Sequence, residues 1–153
     1  MARQIRRFAA RDSDERLRQI ALAAKAHWGY PRDRVVEWAS KGDFSPETLG
    51  RLEIWVAEEE REICGWASLV PGDEVAWLED LWVDPRWMRQ GAGSALFAAV
   101  ADEARRRGAE RLEWEAEPNA IGFYRRMGGR YLRDSSTTEW GRVLPIMGVD
   151  LRE

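Results

Sequence analysis

The sequence predicts an α/β domain with helices on both sides of a mixed, mostly antiparallel sheet, and three observations carry that expectation. Residues 52–58, 62–70 and 75–83 alternate apolar with polar, and the connections between them are too short for a crossover, so they pair as antiparallel neighbours. Residues 76–107 pass from strand alternation through a glycine-bearing loop into a helical period, and alternation resumes at 110–116. That strand–helix–strand unit is a crossover, which makes its two strands parallel neighbours. Finally, the apolar positions of the intervening segments recur at helical spacing on one face only, as surface-packed helices require.

Taken in order, residues 4–8 fit a first strand, and Asp12 or Ser13 is placed to cap a helix reaching about Lys25. Leu17, Ile20, Ala21 and Ala24 supply its apolar face. Gly29 and Pro31 stop it, and a second short helix fits residues 32–40. Residues 41–49, mostly polar and containing Gly42 and Pro46, read as a mobile loop. The charged run 58–62 is the solvent-facing turn of a hairpin, and Pro71-Gly72-Asp73 leads into the strand at 75–83, which Pro85 ends. From Gly93 onward Leu96, Phe97, Val100, Ala101 and Ala104 form an apolar stripe. Arg105 to Arg107 sit at the negative end of that helix's dipole, and Gly108 caps it. In 110–116, Leu112, Trp114 and Ala116 share one face, with Glu113 and Glu115 on the other. Pro118 breaks the strand, Asn119 caps a short helix through Met127, and Gly128-Gly129 ends it. Residues 131–134 and 143–151 remain as closing strands, the latter interrupted by Pro145 and Gly148.

Composition bounds the function. A chain of 153 residues fits one domain over 1–153 with a proper core. A net charge of -3 offers no global basic field for nucleic acid, and an apolar fraction of 44% with nine Trp argues against disorder. Cys64 and His27 are the only residues of their types, which leaves no disulfide and no metal-site spacing. The basic N-terminus, with Arg3, Arg6 and Arg7, lacks the apolar run of a signal peptide, and no stretch has the length of a membrane span. The expectation is a cytoplasmic protein with no nucleic-acid or membrane partner and no metal.

A glycine-tipped loop opening onto a helix aims several unpaired N–H groups one way, with the positive end of the dipole behind them, and this suits a phosphate. Gly91 and Gly93 remove Cβ atoms there, while Arg86 and Arg89 add positive charge. The residues VDPRWMRQGAG resemble the acyl-coenzyme A loop of the GNAT N-acyltransferase superfamily, V-x-P-x-x-[RQ]-x-x-G-x-[GA]. Val83, Pro85, Gly91 and Gly93 lie on the pattern, and Met88 stands where Arg or Gln is usual. Residues EPNAIGFYRRMGG resemble the later family segment N-x-x-A-x-x-[FL]-Y-x-x-x-G through Ala120, Phe123, Tyr124 and Gly128, with Glu117 in the Asn position and Asn119 two residues on.

The resemblance implies a splayed central parallel pair that admits acetyl-coenzyme A. It implies that the amides of Arg89, Gln90, Gly91, Ala92, Gly93 and Ser94 hold the pyrophosphate. Main-chain groups near Leu81 and Val83 would pair with the pantetheine arm, Asn119 would supply the family's Asn contact, and Tyr124 would protonate the departing thiolate. A phenol suits that last task because it is weakly acidic and stays protonated at neutral pH.

Transfer to an amine also requires an acceptor for the ammonium proton. Glu79 and Asp80 point to opposite faces of their strand. Glu79 is favoured, because Trp77, Glu79 and Leu81 then share a face near the reacting carbonyl; the competing reading places both carboxylates in ion pairs with Arg86 or Arg89. Glu113 and Glu115 offer an acidic acceptor wall if they face the same cleft, and Trp28, Tyr30 and Trp38 an aromatic one. The expected function is transfer of an acyl group, acetyl by preference, from acyl-coenzyme A to a small-molecule or protein amine. The alternative is a non-catalytic acyl-coenzyme A-binding or interaction module. Dinucleotide binding through Gly91-Ala92-Gly93 and Glu113 is opposed by Leu96 at the third glycine position. Trp140 and the closing strands offer a homodimer face.

Overall fold

The computed structural model describes residues 3–41, 44–137 and 141–152, apart from the side chains of 39–41. Trp140, on which the dimer-face expectation rests, lies outside the described residues. The strands are β1 (Gln4–Arg7), β2 (Glu53–Glu59), β3 (Glu62–Val70), β4 (Val75–Val83), β5 (Arg111–Glu115), β6 (Arg130–Asp134) and β7 (Pro145–Asp150). The α-helices are α1 (Asp14–His27), α2 (Arg32–Lys41), α3 (Pro46–Arg51), α4 (Ala92–Arg106) and α5 (Ile121–Arg126).

The strands form one sheet in the order β1-β2-β3-β4-β5-β7-β6. β4 and β5 are parallel, with Val75, Ala76 and Trp77 opposite Arg111, Leu112 and Glu113. The pairs β1/β2, β5/β7 and β6/β7 are antiparallel. The sheet is therefore mixed and mostly antiparallel, as alternation and connection lengths predict. Pairing between β4 and β5 ends at Trp77, although β4 continues to Val83.

Local chemistry explains the element boundaries. Ser13 caps α1 by accepting from the Arg16 N–H at 3.2 Å, and Asp14 and Glu15 complement the dipole. Between β2 and β3, Glu60 and Arg61 have φ of 52° and 65°, the left-handed pair whose twist suits a two-residue hairpin. Two expectations need correction. Residues 46–51, of which 46–49 read in sequence as the end of a mobile loop, form α3: Ser45 accepts from the Thr48 N–H at 3.3 Å, and Pro46 occupies the first turn, where its missing N–H costs nothing. Asn119 caps no helix; its amide donates to Glu117 at 2.8 Å within a 3₁₀ turn, Pro118–Ala120, that precedes α5.

By contacts the chain divides into two compact units, Met1–Ser68 with Asp80–Val100, and Leu69–Glu79 with Ala101–Glu153. The core of the first unit joins Leu17, Ile20 and Ala21 of α1, Leu49 of α3, Ile54 and Val56 of β2, and Ile63 and Trp66 of β3. Trp66 is fully buried, and its indole N–H donates to the Leu17 carbonyl at 2.9 Å, so its polar atom carries no desolvation penalty. At Gly65 a Cβ would stand 3.0 Å from the Trp82 carbonyl oxygen and 3.2 Å from Leu96 Cδ1, a close approach that a larger residue could share only if its neighbours gave way by a few tenths of an ångström. In the second unit Leu112, Trp114 and Met147 are buried. Glu113 is buried beside them with two cationic partners, Arg133 at 2.8 Å and Arg111 at 3.2 Å. Burial raises its carboxyl pKa, but the Arg133 and Arg111 hydrogen bonds outweigh that and hold it below the usual range.

Candidate coenzyme and acceptor site

The end of β4 is anchored before the glycine loop begins. Asp84 donates its N–H to the Cys64 carbonyl at 2.8 Å, and its buried carboxylate caps the 3₁₀ turn Pro85–Trp87 by accepting from the Arg86 N–H at 3.0 Å. The same carboxylate receives Arg16 Nη2 and Arg86 Nη2, each at 3.0 Å. Arg16 also donates to Glu62 and to the Ile63 carbonyl, so it ties α1 and β3 to the loop entrance. Burial alone would raise the Asp84 pKa, yet the hydrogen bonds from Arg86 and Arg16 bring it below the usual carboxylate range. Arg86 is thus engaged by Asp84 and Glu62, and its guanidinium lies 4.6 Å from the Trp87 ring centre.

The loop itself has a left-handed bend. Arg89 and Gly91 have φ of 64° and 90°, and the Gln90 carbonyl between them accepts from Arg3 Nη2 at 2.5 Å. The first α4 hydrogen bond runs from the Ala95 N–H to the Gly91 carbonyl at 3.0 Å, so the N–H groups of Gly91, Ala92, Gly93 and Ser94 have no intrahelical acceptor. Gly91 is exposed, Ala92 is buried and Gly93 and Ser94 are partly buried, which puts a small, amide-rich surface at the positive end of a 15-residue helix. This turn fits a diphosphate by its chemistry. A Cβ at Gly91 would lie 3.1 Å from Arg3 Nη1. Gly91→Val adds a β-branched side chain at positive φ, and calorimetry is expected to show coenzyme affinity reduced about tenfold or more.

Leu81 and Val83 are partly buried and belong to the same unit as the loop. They lie beyond Trp77, where the β5 ladder ends. The two adjacent carboxylates differ sharply. Glu79 is exposed. Asp80 accepts from the Ser68 hydroxyl at 2.6 Å and from the Trp82 indole N–H at 3.1 Å, with desolvation pushing its pKa up and those two donors only partly offsetting the rise. The ion pairs with Arg86 or Arg89 that the competing reading supplied for Asp80 are absent among the described residues.

Tyr124 and Asn119 lie in the second unit. Tyr124 is buried with its ring 5.0 Å from Trp114 and 5.2 Å from Phe123, and Asn119 is exposed. Glu113, the first member of the expected acidic wall, is neutralised by its two arginines, and Glu115 is exposed. Cys64 is buried with its thiol 3.3 Å from the Ala57 carbonyl; burial and the nearby Glu59 carboxylate push its pKa up to about 11, which makes it a poor nucleophile. Sequence reasoning missed Arg3, for which separation along the chain leaves no local signal, and the anchoring role of Asp84.

The site thus joins a mixed sheet with one parallel pair to an amide-lined turn and a long helix fed by the first strand of that pair. The chain matches the model of the Acetyltransferase (GNAT) family over residues 14–129, and it belongs to that family. It shares its fold with a GCN5-related N-acetyltransferase from Rhodopseudomonas palustris (TM-score 0.81, 21% identity, covering 98% of this chain and 96% of that one). It also resembles the PaiA N-acetyltransferase of Thermoplasma acidophilum in complex with coenzyme A (TM-score 0.80, 18% identity, covering 98% and 99%). Among curated relatives, L-ornithine N5-acetyltransferase NATA1 of Arabidopsis thaliana is 34% identical over 118 residues, covering 63% of this chain and 51% of that protein. An uncharacterized N-acetyltransferase of Methanocaldococcus jannaschii is 37% identical over 99 residues, covering 60% and 42%. The chain spans about half the length of the curated relatives it matches.

Proposed function

We propose that the protein is an acetyl-coenzyme A-dependent N-acetyltransferase acting on a primary amine of a small molecule or protein in the cytoplasm. The observation that carries this reading is the left-handed turn at Arg89 and Gly91, which presents the free amides of α4 inside the segment matched by the family. Amides from Arg89 to Ser94 hold the diphosphate, and main-chain groups at Leu81 and Val83 hold the pantetheine arm and polarise the thioester carbonyl. Asn119 adds a coenzyme contact. The amine attacks the carbonyl carbon directly, so that a C–N bond forms, the C–S bond breaks and no acyl-enzyme intervenes.

Two proton transfers call on protein groups: the ammonium must be deprotonated before its nitrogen attacks, and sulfur must be protonated as it leaves, while the other nitrogen proton, lost as the amide forms, restores the donor to sulfur. Tyr124 carries out the second, a role supported by its place in the family motif and by phenol chemistry. For the first, the pair Glu79 and Asp80 supplies the acceptor. Glu79 is the carboxylate sequence reasoning favours, while the desolvated setting of Asp80 supports Asp80 as the group that takes the proton.

A thiol-release assay with acetyl-coenzyme A against a broad amine library tests the proposal. Turnover is expected with at least one amine class, and Tyr124→Phe is expected to lower kcat about tenfold to a hundredfold. Coenzyme binding without release on any amine would favour the non-catalytic module instead.

A further inference from the structure

The cations beside the glycine loop are unevenly available. Arg86 is held by Asp84 and Glu62, and Arg89 is exposed with no ion pair among the described residues. A third cation arrives from the start of the chain. Arg3, one residue before β1, crosses 87 positions of sequence to donate from Nη2 to the Gln90 carbonyl at 2.5 Å. Its other contact, Glu59 at 3.5 Å, is long and uses the same nitrogen. Arg3 and the loop belong to one compact unit.

That leaves most of the guanidinium unused. Nε is buried with no hydrogen-bond partner, and Nη1 makes no hydrogen bond to the described residues although it would stand 3.1 Å from a Cβ at Gly91. A desolvated donor without an acceptor is costly, and native structures keep few of them. Here the unused donors lie against the residue whose own N–H, with those of Ala92, Gly93 and Ser94, also lacks an intrahelical acceptor. A full positive charge and a surface of partial positive charge therefore adjoin at Gly91. An anion bound there satisfies both, and no packing role for Arg3 explains both.

We infer that Arg3 is a coenzyme-binding residue, holding Gln90 through Nη2 and donating from Nη1 to the diphosphate that the α4 amides receive. This deepens the proposed function and rests on it for the presence of a diphosphate at the loop. The fixed plane of a guanidinium suits the task, because one nitrogen sets its orientation and another remains for the ligand. Held by Gln90 and only 23% exposed at its side chain, Arg3 gives up less rotamer freedom on binding than the exposed Arg89. The segment leading into β1 is thereby part of the coenzyme site.

The test is calorimetric titration of the full chain, without acyl acceptor, at several salt concentrations. The two probes are coenzyme A and 3′-dephospho-coenzyme A, which keeps the diphosphate and lacks the third phosphate. Arg3→Met is expected to weaken both by the same factor, about tenfold or more, and to make binding fall less steeply with added salt than in wild type. If Arg3→Met fails to fold, Arg3→Lys is expected to bind both about threefold or more weakly, since one ammonium cannot serve Gln90 and a phosphoryl oxygen from a fixed plane. A loss seen with coenzyme A but not with the dephospho form would put Arg3 on the third phosphate and overturn the inference. Unchanged affinity overturns it too, as does weaker binding with the salt dependence of wild type, which marks an anchor that only shapes the loop. Wild type that binds neither probe removes the acetyltransferase reading and this inference together, whereas variants equal to a wild type that binds remove the inference alone.

Discussion

Asp80→Asn is expected to lower kcat/KM for the amine about a hundredfold or more, and Glu79→Gln far less, because general-base catalysis is worth about 10²–10⁴-fold and Asp80 has the setting of a tuned base. Asp80 is desolvated and faced by Ser68 and Trp82, both neutral, so its pKa lies above the ordinary carboxylate value. The active, ionised form is then lost as pH falls through that raised value. Wild type should show an acid limb displaced upward that vanishes in Asp80→Asn and persists in Glu79→Gln. Stability should move the other way. A carboxyl whose folded pKa is raised destabilises the fold when it ionises, so its contribution improves as pH falls and worsens as pH rises through the folded pKa. Asp80→Asn keeps one side-chain oxygen to accept from the Trp82 indole, turns an NH2 that can donate to the Ser68 hydroxyl oxygen, and carries no charge, so urea unfolding at pH 7 should show it at least as stable as wild type. A variant that loses activity but not stability separates chemistry from folding. Equal losses in the two variants, or an activity loss confined to Glu79→Gln, would return the role to Glu79.

Asp84→Ala is expected to destabilise the protein by about 2–3 kcal/mol at pH 7, measured by urea unfolding, and to weaken coenzyme binding at the same time. Three donors lose their acceptor: Arg16, the Arg86 side chain and the Arg86 N–H. The lower part of the range for breaking an ion pair applies, because the Arg16 side chain is 21% exposed and keeps Glu62 and the Ile63 carbonyl. Its pH dependence has a defined sign. The folded pKa of Asp84 is depressed, so the stabilisation is complete above the unfolded value of about 3.9 and is lost as pH falls through the lower folded value. The difference between wild type and Asp84→Ala should therefore hold at pH 7 and shrink only in strong acid. Coenzyme affinity falls because the carboxylate that caps the 3₁₀ turn also sets where the loop starts.

Much of the fold was legible because its signals are local. Val75–Val83 is delimited by its alternation and by Pro85, and the start of α1 by Ser13. The α3 helix was not legible, because Pro46 serves equally as a helix opener and a breaker, and only the Ser45 bond to Thr48 decides between them. Asn119 looked like a cap by type, but Glu117 lies two residues away and takes its amide. At the site, the loop glycines were readable from spacing, whereas the partners that fix the loop were not. Arg3 reaches Gln90 from the far end of the chain, and Arg86, expected to add charge beside the loop, is engaged by Asp84 and Glu62. Alternation places Glu79 and Asp80 on opposite faces, but it carries no information about which face holds the aromatic rings.

The most direct measurement is isothermal titration of the folded protein with acetyl-coenzyme A. The account predicts saturable one-site binding that Gly91→Val weakens and that NAD does not reproduce. A flat titration at high ligand excess, with folding verified on the same sample, would contradict it.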